Sequence, residues 1–304
     1  MHTDSKEWAA EIKTLARQRK AIILAHNYEP PEIQDIADLC GDSLELSIRA
    51  AKTDADVIVF CGVHFMAETA SIVCPDKTVL LPDFNAGCPM ADMITPQALA
   101  AKLKELGDMP VVTYVNSPAA VKAMSTVCCT SANVVKVVAS LEEKEILMTP
   151  DRNLAAYAQG YTDKTLHLWP GWCPVHDALR PEDIETARRD HPGALVMAHP
   201  ECRPEVTALA DAVLSTSGML RHAAESDRTE FIVATENGIL YPLQKACPGK
   251  RFYPASESMV CPDMKKIGLE DVAACLEALA PEVKVPREIQ QKALAAVQRM
   301  LEIV

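Results

Sequence analysis

Three cysteine–proline pairs, Cys88-Pro89, Cys173-Pro174 and Cys261-Pro262, stand 85 and 88 residues apart. One thiolate from each would place three soft sulfur ligands around one centre. A 4Fe–4S cluster with all four irons ligated takes four cysteines. Three leave one iron open to water or substrate, where it acts as a Lewis acid, like the open position of a catalytic zinc. The chain has eleven cysteines in all. Cys40, Cys61, Cys74, Cys202, Cys247 and Cys275 read as small buried hydrophobes, and the adjacent Cys128 and Cys129 have poor geometry for a chelate. Cys74-Pro75 and Cys247-Pro248 show that the pair by itself is not enough. Position in a repeat carries the argument.

Polar residues keep the same period. His26, Tyr114 and His199 are 88 and 85 residues apart, and 17 residues after each comes a hydroxyl: Ser43, Ser131 and Thr216. The three cysteines follow the opening residues at offsets of 62, 59 and 62. His26 with Tyr28, Tyr114 with Asn116, and His199 with Glu201 are each two residues apart. On a strand that spacing puts both side chains on one face, as a set of candidate acids and bases. The hydroxyls sit where helix N-caps occur, and capping alone would account for each. A helix start also holds carboxylate or phosphate, so three of them predict a substrate with more than one acidic group.

The elements that must position these residues are legible as short apolar runs. Runs at 21–28, 110–116 and 194–201 open three units. Further runs follow at 56–63, 145–150 and 230–236, then at 77–82, 164–170 and 250–254, each succeeded by a helix-like segment. This is the βα rhythm of parallel sheets. The predicted fold is α/β: three homologous three-layer α/β/α units with small parallel sheets, arranged around a pseudo-threefold axis. The units are expected at 1–107, with an N-terminal helix, at 108–190 and at 191–281. Residues 282–304 form a closing helix, with Ile289, Ala293, Val297, Leu301 and Val304 on its packing stripe. Ligands of such sheets bind beyond the carboxyl ends of the strands, where all the repeated polar residues fall.

Composition narrows the setting. Of 304 residues, 49% are hydrophobic and 24% charged, ordinary for a folded chain. A net charge of −12 provides no basic footprint for nucleic acid or an anionic membrane. Residues 1–20 lack the apolar core of a signal peptide, and no run of about 18 apolar residues is present. Eleven cysteines in that context predict a reducing compartment, the cytoplasm.

Taken together, AHNYEPPEIQDIADLCGDSLELS (25–47), GVHFMAE (62–68), PDFNAGCPMADM (82–93), YVNS (114–117), CTSAN (129–133), PDRNLAAY (150–157), WCPVH (172–176), HPEC (199–202), STSGM (215–219) and ATENGI (234–239) resemble quinolinate synthase over nearly the whole chain. The resemblance implies a transferase of NAD biosynthesis that condenses iminosuccinate (iminoaspartate) with dihydroxyacetone phosphate to quinolinate, releasing phosphate and water. It implies a 4Fe–4S cluster held by Cys88, Cys173 and Cys261. It implies substrate contacts at His26, Ser43, Tyr114, Val115, Asn116, Ser131, His199, Pro200, Glu201 and Thr216. Catalytic roles are implied for His26, Tyr28, Tyr114, His199 and Glu201, and transient contact with the iminosuccinate-producing enzyme is a possible partnership. One departure is Cys261-Pro262-Asp263-Met264, which has no second thiol for a disulfide switch. The rival readings are a non-catalytic iron–sulfur or zinc protein, which would not need three matched polar sets, and an aconitase-type hydro-lyase, whose fold and cysteine spacing differ.

Overall fold

The computed structural model describes residues 5–303. Among the described residues twelve strands form three separate four-stranded sheets, all parallel. The first comprises β1 (Ala21–His26), β2 (Leu39–Gly41), β3 (Val57–Cys61) and β4 (Thr78–Leu80). The second comprises β5 (Val111–Tyr114), β6 (Val127–Cys129), β7 (Glu145–Thr149) and β8 (Thr165–Leu168). The third comprises β9 (Leu195–Ala198), β10 (Ala212–Val213), β11 (Glu230–Ala234) and β12 (Arg251–Pro254). Within each sheet the spatial order is second, first, third, fourth, so the predicted triplication is a triplication of topology. Central strands such as VIVFC are buried along their whole length, because helices cover both faces of a parallel sheet.

Ladder register explains the conserved offsets. His26 lies beside Gly41, Tyr114 beside Cys129, and Ala198 beside Val213. Ser43, Ser131 and Thr216 therefore follow the second strand at equivalent heights. These second strands have only two or three residues, too short for an alternation pattern, and the sequence does not announce them.

A relay of helices joins the units. The helix Pro96–Leu106 does not stay with the first sheet; Leu99 packs with Val111, Val121 and Leu147 of the second unit. Similarly, Ile184 and Ala187 of Pro181–Asp190 pack with Val196, Ile232 and Ala234 of the third. The helix Leu269–Ala278 returns to Ser5–Gln18, and both share a core with the first sheet. Arg19 fastens that closure, donating to the carbonyls of Leu276 and Glu277 at 3.1 and 2.7 Å.

The expected closing helix spans Arg287–Glu302 and lies against the helices His64–Val73 and Ala119–Lys122 and against β6. Ala293 and Val297 of the predicted stripe are buried and Ile289 and Leu301 partly so, while Val304 lies outside the described residues. Asn133 clamps its far end: Nδ2 donates to the carbonyls of Met300 and Ile303 at 3.1 and 2.8 Å, and Oδ1 accepts from the Thr130 N–H at 2.8 Å. Asn133→Ala leaves these buried groups unpaired and is expected to cost about 2 kcal/mol of unfolding free energy. Denaturant unfolding checks this, and a loss under about 0.5 kcal/mol would mean that the apolar stripe holds the helix alone.

Candidate active site

One cavity of about 160 Å³ lies where the carboxyl ends of the three sheets meet. The first unit lines it with His26, Tyr28, Ser43 and Cys88, the second with Tyr114, Asn116, Ser131 and Cys173, and the third with His199, Glu201, Thr216 and Cys261. Of the fourteen residues expected here, only Val115 and Pro200 do not line it. Val115 is buried with its N–H on the Cys129 carbonyl at 3.0 Å, so it supports the strand end from behind.

The two histidines use the same local device. His26 Nδ1 accepts the Tyr28 N–H at 3.2 Å, and His199 Nδ1 accepts the Glu201 N–H at 3.3 Å. A ring nitrogen that accepts carries no proton, which leaves Nε2–H as the donor. Burial, aided by the Lys265 charge, pulls His26 down to about 3. Burial likewise pulls His199 down to about 3, against the attraction of Glu201. Both are neutral hydrogen-bond donors near pH 7, not proton acceptors.

A chain of polar contacts crosses the site. The Tyr28 hydroxyl is 2.6 Å from Thr235 Oγ1, which is 2.7 Å from His176 Nε2, and His176 Nδ1 is 2.7 Å from Glu201 Oε2. Tyr114 lines the cavity with Glu201. With a proton on His176 Nδ1, every donor in this chain faces an acceptor, and the links alternate among all three units. Burial alone would raise Glu201, yet the charge and hydrogen bond of His176 bring it down to about 2. Burial pushes both phenols up, so Tyr28 and Tyr114 keep their protons.

Cys173 Sγ lies 3.1 Å from His176 Nδ1. Cys173, His176 and Glu201 present sulfur, nitrogen and oxygen atoms all within 4.8 Å of one another, a set able to hold a metal ion. Burial pushes the Cys88 thiol up to about 12 and raises Cys173 and Cys261 as well. Ligation by all three would displace three protons, as thiolate coordination requires.

The hydroxyls are not the caps that their spacing suggests. Asp42 and Ser215 cap the helices Ser43–Lys52 and Thr216–Glu225, so Ser43 and Thr216 sit one residue inside. Ser131 occupies a turn ahead of the helix Val134–Ala139; Asn133, the residue before that helix, makes no side-chain cap and instead folds the turn onto Thr130. Relieved of capping, Ser43 and Ser131 face the cavity, while Thr216 Oγ1 accepts from Asn27 Nδ2 at 2.9 Å. Asn116 Oδ1 is buried without a protein partner among the described residues. An orphaned carbonyl of this kind costs about 1–3 kcal/mol, and a ligand donor would relieve it. No lysine or arginine lines the cavity among the described residues.

Sequence reasoning missed His176, Thr235 and Glu236. His176 follows Cys173 by three residues in the short helix Pro174–Ala178, which returns it to the same face. That spacing was available as a signal. Thr235 had none, since it reaches His176 only by packing.

Comparisons with known proteins agree over nearly the whole chain. A family model described as "Quinolinate synthetase A protein" matches residues 10–302. The quinolinate synthase of Desulforudis audaxviator is 56% identical over 300 residues, covering 98% of this chain and 99% of that protein. That of Geotalea uraniireducens is 57% identical over 294 residues, covering 96% of each chain.

Proposed function

From the premise that this chain belongs to the quinolinate synthetase A family, we propose that it condenses iminosuccinate with dihydroxyacetone phosphate to give quinolinate, phosphate and water, in the cytoplasm and for NAD biosynthesis. The observation that carries the reading is that one cysteine from the same position of each unit, Cys88, Cys173 and Cys261, lines a single cavity with the matched polar sets. Three sulfur donors suit a 4Fe–4S cluster with one open iron, which when bound supplies Lewis acidity toward a leaving oxygen.

The chain's own residues provide the rest. Ser43, Ser131 and Thr216 receive the substrate's acidic groups, in a cavity that has no lysine or arginine among the described residues to do so, while Asn116 Oδ1 accepts from a donor of the substrate. His26 and His199 donate from Nε2 to carbonyl or carboxylate oxygens that gain charge, as neutral electrophiles do. Glu201 takes and returns the proton in isomerisation and water loss, with His176 and Thr235 linking it to Tyr28 at the triose end. Iminosuccinate hydrolyses readily, which favours transient docking of the enzyme that produces it. Among the described residues no helix is long and apolar enough to cross a membrane, and neither membrane nor nucleic acid enters this reading.

A second reading, a single divalent ion on Cys173, His176 and Glu201, would leave Cys88 and Cys261 idle. Purification without oxygen, with iron, sulfide and zinc counted before a quinolinate assay, separates the two. About four iron and four sulfide per chain with quinolinate formed is the expected result. One zinc, no sulfide and no quinolinate would replace it.

A further inference from the structure

The cysteine loops are held by carboxylates, and one position of the repeat explains how. Ladder pairing sets Ala25 beside Cys61, Thr113 beside Thr149, and Ala198 beside Ala234. Two residues further along come Val63, Asp151 and Glu236. Asp151 is buried and uses both oxygens. Its Oδ1 accepts the Leu154 N–H at 2.7 Å, capping the helix Arg152–Gln159, and its Oδ2 accepts the N–H of Cys173 itself at 3.1 Å. Glu236 repeats this, with Oε2 on the Gly238 N–H at 2.7 Å and Oε1 on the N–H of Cys261 at 3.0 Å.

Val63 can do neither, and the Cys88 loop takes its carboxylate from another unit. Asp263 Oδ1 accepts the Gly87 N–H at 3.2 Å, while Lys266 Nζ bridges that same oxygen and the Asn85 carbonyl, at 2.6 Å each. Each of the three loops is thus tied at or beside its cysteine by one acid. Loops between strand and helix are otherwise the mobile parts of such folds. Hydrogen bonds to carboxylate are the stronger kind, and tying the backbone nitrogen leaves the cysteine little more than χ1 with which to aim its sulfur.

We infer that Asp151, Glu236 and Asp263 are positioning residues that aim the three sulfurs at one centre, each through its own cysteine loop. This rests on the cluster reading above, but a distinct prediction follows from how many oxygens each acid uses. Asp151→Asn and Glu236→Gln keep the shape yet replace one of two working acceptors by an NH2 group that meets an N–H, whichever way the amide turns. Asp263→Asn keeps the single oxygen that Gly87 and Lys266 share.

The experiment loads each protein with iron and sulfide without oxygen, and follows cluster loss to a chelator by its visible absorption. Expected are losses about 10–100-fold faster than wild type for Asp151→Asn, Glu236→Gln and Asp263→Ala, with Asp263→Asn within about threefold. Thr95→Ala, which removes the cap of Pro96–Leu106 and touches no cysteine loop, should lower the melting temperature of the cluster-free chain and leave the loss rate unchanged. Wild-type rates in Asp151→Asn and Glu236→Gln, equal rates in both Asp263 variants, or fast loss in Thr95→Ala would each overturn the inference. A wild-type protein that binds no sulfide-linked iron would instead defeat the cluster reading itself.

Discussion

Glu201→Gln should form quinolinate roughly 10²–10⁴-fold more slowly than the parent while holding the same iron and sulfide. Glu201 is buried, with Oε2 2.7 Å from His176 Nδ1. A glutamine can still accept from His176 through its amide oxygen, so the local fold survives. It cannot accept a proton. The chain that reaches Tyr28 through His176 and Thr235 would then have no base at its end. Neither His26 nor His199 can substitute, because their Nδ1 atoms already accept backbone N–H groups, which leaves the proton on Nε2. Steady-state quinolinate formation on protein of matched iron content is the measurement. A rate within about tenfold of the parent would remove Glu201 from the chemistry.

Replacing Cys88, Cys173 or Cys261 singly by serine should have a larger effect still, with loss of sulfide-linked iron and of all detectable quinolinate. Each is the only thiol that its unit offers the cavity among the described residues, and a hydroxyl is a poor ligand for iron already bound to sulfide. The informative comparison is Cys74→Ser, because Cys74 is also followed by proline. Its sulfur is buried and donates to the Ala50 carbonyl at 3.0 Å, well apart from the cavity lining. It should keep its iron. If Cys74→Ser lost the cluster like the other three, or if two of the three retained it, position in the repeat would not be what selects the ligands.

The sequence alone determined the periodic part of this protein. Runs such as AIILAH and VIVFC are short, aliphatic and bounded, and burial between helices makes them strands of parallel sheets. Three copies of one spacing brought the cysteines, hydroxyls and opening residues to equivalent heights, because ladder register is itself periodic. The closing helix was visible in its stripe, since helical period is written directly in residue spacing. What depended on departures from the repeat was hidden. Ser131 lies in a turn that Asn133 closes onto Thr130, ahead of a helix with no side-chain cap, and the second strands are too brief to show a period.

Only the tertiary structure decided which unit completes another's chemistry. His176 and Thr235 meet from different sheets, and Asp263 supplies the carboxylate that Val63 lacks. Hydrogen bonds of this kind depend on where loops come to rest once Pro96–Leu106, Pro181–Asp190 and Leu269–Ala278 have each packed on a neighbouring unit. Local spacing encodes which face a side chain leaves from. It carries no information about the partner it finds across an interface, which is set by the packing of the whole ring.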